Sequence, residues 1–141
     1  MNTDTKLHTM TKFFLFLGSA NMFLVVILGA FGAHGLKERL SPEMMLIYQT
    51  GIQYHFYHAA GLLIVGILTF FLQVSSLIRW SGLLMVVGIV IFSGSLYLLS
   101  VTGARWLGAI TPVGGTAFVV AWFLLAIACL KAVGRNTQHD L

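Results

Sequence analysis

Long apolar stretches separated by short charged segments make up most of this sequence. Each stretch is long enough to cross a membrane, because a helix of about 20 apolar residues spans a hydrocarbon core about 30 Å thick. The pattern predicts an all-α membrane protein with four transmembrane helices in a bundle, forming a single integral membrane domain over residues 1–141. The predicted spans cover about 13–33, 57–74, 80–101 and 110–130.

The second uncharged stretch, 44–78, is longer than one crossing requires. Ser41-Pro42 has the form of a helix start, with a capping hydroxyl followed by proline at the first helical position. An apolar stripe at three- and four-residue steps follows, and polar side chains surround it. The pattern favours a short interfacial amphipathic helix between the first and second spans. That helix either bends near Gly51 or runs on into a crossing from about Ala59 to Leu72.

Charged residues are scarce in this sequence, and their number and distribution exclude several classes of protein. Only 12 of 141 residues are charged, or 9%, whereas soluble domains average about 25%. This composition excludes a water-soluble domain and a disordered chain, so the lipid bilayer is the expected environment. The eight cations are scattered, which argues against nucleic acid. The single Cys129 excludes an internal disulfide and a cysteine metal cluster.

The cations also predict an orientation. With four spans, both termini lie on one side of the membrane. The tails and the second loop hold five cations, and the first and third loops hold three. Because cytoplasmic segments are enriched in Lys and Arg, we expect both termini in the cytoplasm. The five are Lys6, Lys12, Arg79, Lys131 and Arg135.

Small and polar residues predict how the helices pack. Close approach through small residues drives helix association in lipid. Such residues form a narrow arc of the first span, and Asn21 within it should hydrogen-bond a neighbouring helix or backbone. The arc consists of Gly18, Asn21, Val25, Gly29 and Gly32. Other polar residues are expected to converge on the outer end of the bundle; they include Ser93, Tyr97, Ser100, His34, His55 and His58.

Four separated motifs resemble those of one known family. They are Gly29-Ala30-Phe31-Gly32-Ala33-His34-Gly35-Leu36, the segment from Gln49-Thr50-Gly51 through Tyr54 to His58-Ala59, Ser93-Gly94-Ser95-Leu96-Tyr97 and Thr111-Pro112-Val113-Gly114-Gly115. Their order and spacing resemble the YgdD/YwdK-like family of small multi-span membrane proteins, related to a eukaryotic transmembrane family. The resemblance covers about residues 13–130 and implies a four-helix protein of the bacterial cell membrane. It implies no catalytic residues, because the family has no assigned activity.

The histidines are the most specific candidates for a binding site. His55 and His58 are three residues apart on one helix, and His34 could approach them, which would suit a metal or haem site. The alternative is that these histidines hydrogen-bond water, lipid headgroups or Tyr97. Apart from Glu38 and Glu43 in the first loop, no carboxylate or cysteine is fixed nearby, so the sequence favours the alternative and implies no cofactor.

Other function classes find less support. Coupled transport usually needs a charged group inside the membrane, and none lies in the four predicted spans. A small transporter or channel therefore stays a second alternative beside the histidine site. The sequence shows no Ser-His-acid order with a carboxylate near the bilayer, no paired acids and no phosphate loop, so it does not suggest an enzyme. The sequence favours an accessory or scaffolding subunit that acts through helix contacts, as a homo-oligomer or with an unknown membrane partner.

Overall fold

The computed structural model describes residues 3–72 and 76–136, with side chains described over 9–72 and 76–132. The described residues are almost entirely helical. The elements are α1 (Thr3–Phe31), a π-helical segment (Gly32–Leu36), α2 (Pro42–Phe71), α3 (Ser76–Gly88), a second π-helical segment (Ile89–Ser93), α4 (Gly94–Thr102), a 3-10 helix (Arg105–Ala109) and α5 (Thr111–Asn136).

Four helical stretches are long and apolar enough to cross a membrane, as the sequence predicts. They are Thr9–Leu36, Pro42–Phe71, Ser76–Thr102 and Arg105–Ala132. Each is several residues longer than its prediction, because helices continue past the apolar core into the flanking charged segments. The predicted end of the second span, 73–74, lies outside the described residues. So do the side chains of Lys6 and Arg135, two of the cations used to predict orientation.

The second span differs most from its prediction. α2 is one continuous helix of 30 residues, about 45 Å long, and it passes Gly51 without ending. The side chain of Ser41 caps it by accepting a hydrogen bond from the Met44 backbone nitrogen at 3.3 Å, as the Ser-Pro pattern predicts. The segment expected as a short amphipathic helix therefore runs on into the second span without a bend that ends it, which is the second of the two alternatives.

The third span contains a break in its α-helical geometry. The segment Ile89–Ser93 is π-helical and joins α3 to α4 without a turn. α4 ends at Gly103, whose φ of 70° is left-handed and suits a residue without a side chain. The two halves of this span have different neighbours, since α3 packs mainly against α5 and α4 packs mainly against α2.

The two outer helices of the bundle, α1 and α5, each pack mainly against one neighbour. α1 packs chiefly against α2, and α5 packs chiefly against α3. The core lies where α2, α3 and α5 meet, with Phe14 of α1 reaching into it. Its buried members are Phe14, Leu62, Val65, Ile78, Met85, Ile89, Phe118, Ala121, Leu125 and Ala128.

The small-residue arc of α1 faces α2, as its spacing predicts. A Cβ atom placed on Gly18 would lie 2.8 Å from the Leu63 side chain, and one on Gly32 would overlap the ring of Tyr48. Val25 is buried between them. The arc is therefore already used for packing within the chain, and it is not free to bind another protein.

Candidate functional site

The depth of the polar residues follows from the charges that flank each span. Phe92 lies midway between Arg79 and Arg105, and Phe118 lies midway between Arg105 and Lys131. Charged side chains mark the ends of a span, so these two phenylalanines lie near the middle of the bilayer. His58 stacks on Phe118 with nearly parallel rings whose centroids are 3.3 Å apart. By this argument His58 lies beside the middle of the fourth span. The expectation that the histidines lie towards the outer end of the bundle stays a prediction.

His55 joins three helices in one hydrogen-bonded network. It is buried, with 4% of its surface exposed. Its Nε2 atom is 3.0 Å from the Asn21 amide oxygen of α1, and its Nδ1 atom is 3.2 Å from the Tyr97 hydroxyl of α4. The expectation that Asn21 bonds a neighbouring helix is confirmed, as is Tyr97 as a hydrogen-bonding neighbour of the histidines.

The network has one consistent set of donors and acceptors. The Asn21 amide nitrogen donates to the Leu17 carbonyl at 2.8 Å, so the Asn21 amide oxygen is left to accept from His55. His55 then carries its proton on Nε2, and Nδ1 accepts from the Tyr97 hydroxyl. All hydrogen bonds of this network join neutral groups, which suits a low-dielectric environment.

Two further contacts tie the same helices together. The Tyr48 hydroxyl of α2 donates to the Leu28 carbonyl of α1 at 2.7 Å, and its ring lies 5.2 Å from that of Tyr97. Towards the opposite end of the α1–α2 interface, the hydroxyls of Thr11 and Thr69 are 3.1 Å apart. Polar contacts therefore run along most of the α1–α2 interface.

His58 points away from this network, towards α5. Its Nδ1 atom is 2.7 Å from the backbone carbonyl of Tyr54, one turn earlier in α2. Its ring lies against Phe118 and near Trp122. His55 and His58 thus serve different helix pairs, although they are only three residues apart.

An aromatic groove lies between α2 and α5, and Phe92 of the third span also lines it. Its volume is about 730 Å³, within the range of small-molecule sites. We call it the α2–α5 groove. Its lining residues include Tyr54, Tyr57, His58, Phe92, Phe118 and Trp122.

The structure does not bring the three candidate histidines together as metal ligands. His34 is exposed and lies in the π-helical segment that follows α1. Within the described residues, no group of three or more His, Cys, Asp or Glu side chains is placed to hold a metal ion.

Sequence reasoning missed both the Asn21–His55 pair and the α2–α5 groove. A signal for the pair was present: Asn21 lies near the middle of the first span, and such a residue requires a polar partner at the same depth. The groove left no comparable signal, because its lining comes from three helices that no local pattern relates.

Comparison with known proteins identifies relatives along most of the chain. Residues 28–115 match a family described as "Protein of unknown function (DUF423)". The chain is 48% identical over 120 residues to "UPF0382 membrane protein YwdK" of Bacillus subtilis, covering 85% of this chain and 98% of that protein. It is 46% identical over 123 residues to a "UPF0382 membrane protein" of Staphylococcus epidermidis, covering 87% and 99%. No solved structure matches the chain.

Proposed function

The chain belongs to the DUF423 family, whose relatives are named membrane proteins, and on that premise we propose that it acts as an accessory or scaffolding subunit through contacts between transmembrane helices. Its role is then non-catalytic. The partner is either a second copy of the chain or another membrane protein. The observation that carries the proposal is the peripheral position of α1.

α1 offers more free surface than the other spans. In its most apolar stretch 17% of the residues are buried, compared with 44% for α2. Its outer face carries large apolar side chains that are mostly exposed. Phe16, Phe23 and Val26 are each about two-thirds exposed. A partner helix packed on this face would bury aromatic side chains that otherwise meet only lipid.

The polar groups support a structural role. Asn21, His55 and Tyr97 satisfy one another, so they fasten α1 to the rest of the bundle. A helix anchored by such bonds on one face can present its other face in a fixed orientation. That arrangement suits a contact surface better than it suits a path for ions, which would need polar groups open to water.

Orientation is the second part of the proposal. We propose that the protein lies in the bacterial plasma membrane with both termini in the cytoplasm, on the five-to-three distribution of cations. Fusions of a cytoplasm-active fluorescent protein and a periplasm-active phosphatase to the C-terminus test this. Fluorescence without phosphatase activity is the expected result, and the reverse pattern would contradict it.

Photocrosslinking in native membranes tests the contact surface. A photoreactive benzoylphenylalanine replaces Phe23 on the outer face of α1, and in a control it replaces Phe123 on the outer face of α5, which is similarly exposed at 64%. We expect a discrete crosslinked band from position 23, identified by mass spectrometry, and none of comparable yield from position 123. Monomer alone at position 23, or equal yields at both positions, would refute the α1 surface.

A further inference from the structure

His58 leaves a hydrogen-bond acceptor unused inside the membrane. Its Nδ1 atom faces the Tyr54 carbonyl, which can only accept, so Nδ1 carries the proton. The neutral ring then has a lone pair on Nε2. Among the described residues, none donates a hydrogen bond to that atom.

The Nε2 atom is also reachable from outside the protein. Within the described part of the chain, the unpaired side-chain atoms that are fully enclosed are the hydroxyl oxygens of Ser81 and Ser93. Nε2 of His58 is not among them, although the residue as a whole is 4% exposed. His58 lines the α2–α5 groove, so the groove is the route to this lone pair.

Depth makes the unused acceptor costly. His58 packs on Phe118, midway between the charged ends of the fourth span. Water is scarce at this depth, so an unsatisfied polar group there is unfavourable. An occupant that brings a donor would remove that cost.

The walls of the groove restrict the rest of the occupant. The rings of Tyr54, Phe118 and Trp122 lie near that of His58, and Phe92 lines the same groove. Flat aromatic molecules stack favourably on such rings. We propose that the α2–α5 groove binds a membrane-soluble aromatic alcohol, of the phenol or hydroquinone class, whose hydroxyl donates to Nε2 of His58. This inference is independent of the contact surface on α1.

A matched pair of probes isolates the proposed hydrogen bond. 2-Naphthol and 2-methoxynaphthalene share one ring system, but the second has no O–H to donate. The protein is labelled with ¹⁵N-histidine in lipid nanodiscs, and the His58 Nε2 resonance is assigned by its absence from His58→Phe. We expect 2-naphthol to shift this resonance saturably and the methyl ether to leave it unmoved.

Affinities give a second readout. We expect 2-naphthol to bind about tenfold more tightly than the methyl ether, the value of one hydrogen bond in an apolar site. His58→Phe keeps a stacking ring but removes the acceptor, so the two affinities should become equal. His34→Phe, on an exposed histidine outside the groove, should retain the wild-type preference.

A further variant keeps the test valid if His58→Phe fails to fold. Val119 lines the groove and is 71% exposed, so Val119→Trp adds bulk in the groove without crowding the core. This variant should lose the tighter binding of 2-naphthol, a readout that does not depend on assigning the resonance through His58→Phe. The proposal is overturned if both probes shift the resonance alike, if His58→Phe preserves the preference for naphthol, or if Val119→Trp binds as the wild type does.

Discussion

The hydrogen bond between Asn21 and His55 should stabilise the bundle measurably, and replacing either residue by leucine should show it. Asn21→Leu leaves the Nε2 proton of His55 without an acceptor. His55→Leu removes two bonds and strands both the Asn21 amide oxygen and the Tyr97 hydroxyl. His55 is buried and Asn21 is half-buried against α2, so water cannot easily replace the lost partners.

The expected magnitudes follow from the number of bonds. Hydrogen bonds between membrane helices contribute about 0.6 to 1.7 kcal/mol each. Asn21→Leu should therefore lower the free energy of unfolding by about 1 kcal/mol, and His55→Leu by about 2 kcal/mol. The double variant leaves only the Tyr97 hydroxyl unpaired. Its free energy of unfolding should therefore fall by less than the sum of the decreases in the two single variants.

Unfolding in mixed micelles, followed by tryptophan fluorescence, supplies the four free energies of a double-mutant cycle. Thr50→Val is the matched control, since the Thr50 hydroxyl bonds only to the Leu46 carbonyl of its own helix. That variant should stay within about 0.5 kcal/mol of the wild type. Strictly additive losses for Asn21→Leu and His55→Leu would refute the pairing, as would a stability gain from His55→Leu alone.

Three further predictions concern helix packing and capping, each measured by the same unfolding assay. Gly114→Ala should lower the free energy of unfolding by about 1–3 kcal/mol, because the added Cβ would overlap the backbone of Phe92. The control Gly94→Ala places a Cβ that meets no atom within 4 Å, so it should be neutral or stabilising. Equal losses in the two variants would contradict the close approach of Gly114 to Phe92. Ser41→Ala should lower the free energy of unfolding by about 1 kcal/mol, because α2 loses the hydroxyl that caps its N-terminus. Ser41→Asp keeps a capping oxygen, so a variant no more stable than Ser41→Ala would argue against capping. Tyr48→Phe should lower the free energy of unfolding by about 1 kcal/mol, because it removes the hydrogen bond to the Leu28 carbonyl. An unchanged free energy of unfolding would show that this hydrogen bond does not stabilise the protein.

The sequence predicted the spans because charges are excluded from the hydrocarbon core. It also predicted which face of α1 packs, because Gly18 and Gly32 let a neighbouring backbone or ring come close. Asn21 could be identified as needing a polar partner from its position alone. These successes all rest on constraints that act within one helix.

The same reasoning favoured an interfacial position for the polar half of α2 and left open that it runs on into a crossing; the structure shows one continuous helix. A helix with His55 and Tyr48 on it looks interfacial when it is considered alone. Here those side chains are satisfied by Asn21 and Leu28 of α1, so the helix can cross the bilayer. Whether a polar helix lies on a membrane or crosses it depends on partners that are remote in the sequence.

The π-helical segment Ile89–Ser93 has a consequence for which changes the third span can tolerate. One extra residue in a helical turn rotates everything that follows by about 100° around the axis. That rotation lets α3 present Met85 to the core while α4 presents Tyr97 to His55. Deleting a single residue between 89 and 93 would give a smoother helix that is still apolar enough to insert, yet Tyr97 would turn away from His55. The length of this segment is therefore constrained in addition to the identity of its buried residues, Ile89 and Ser93.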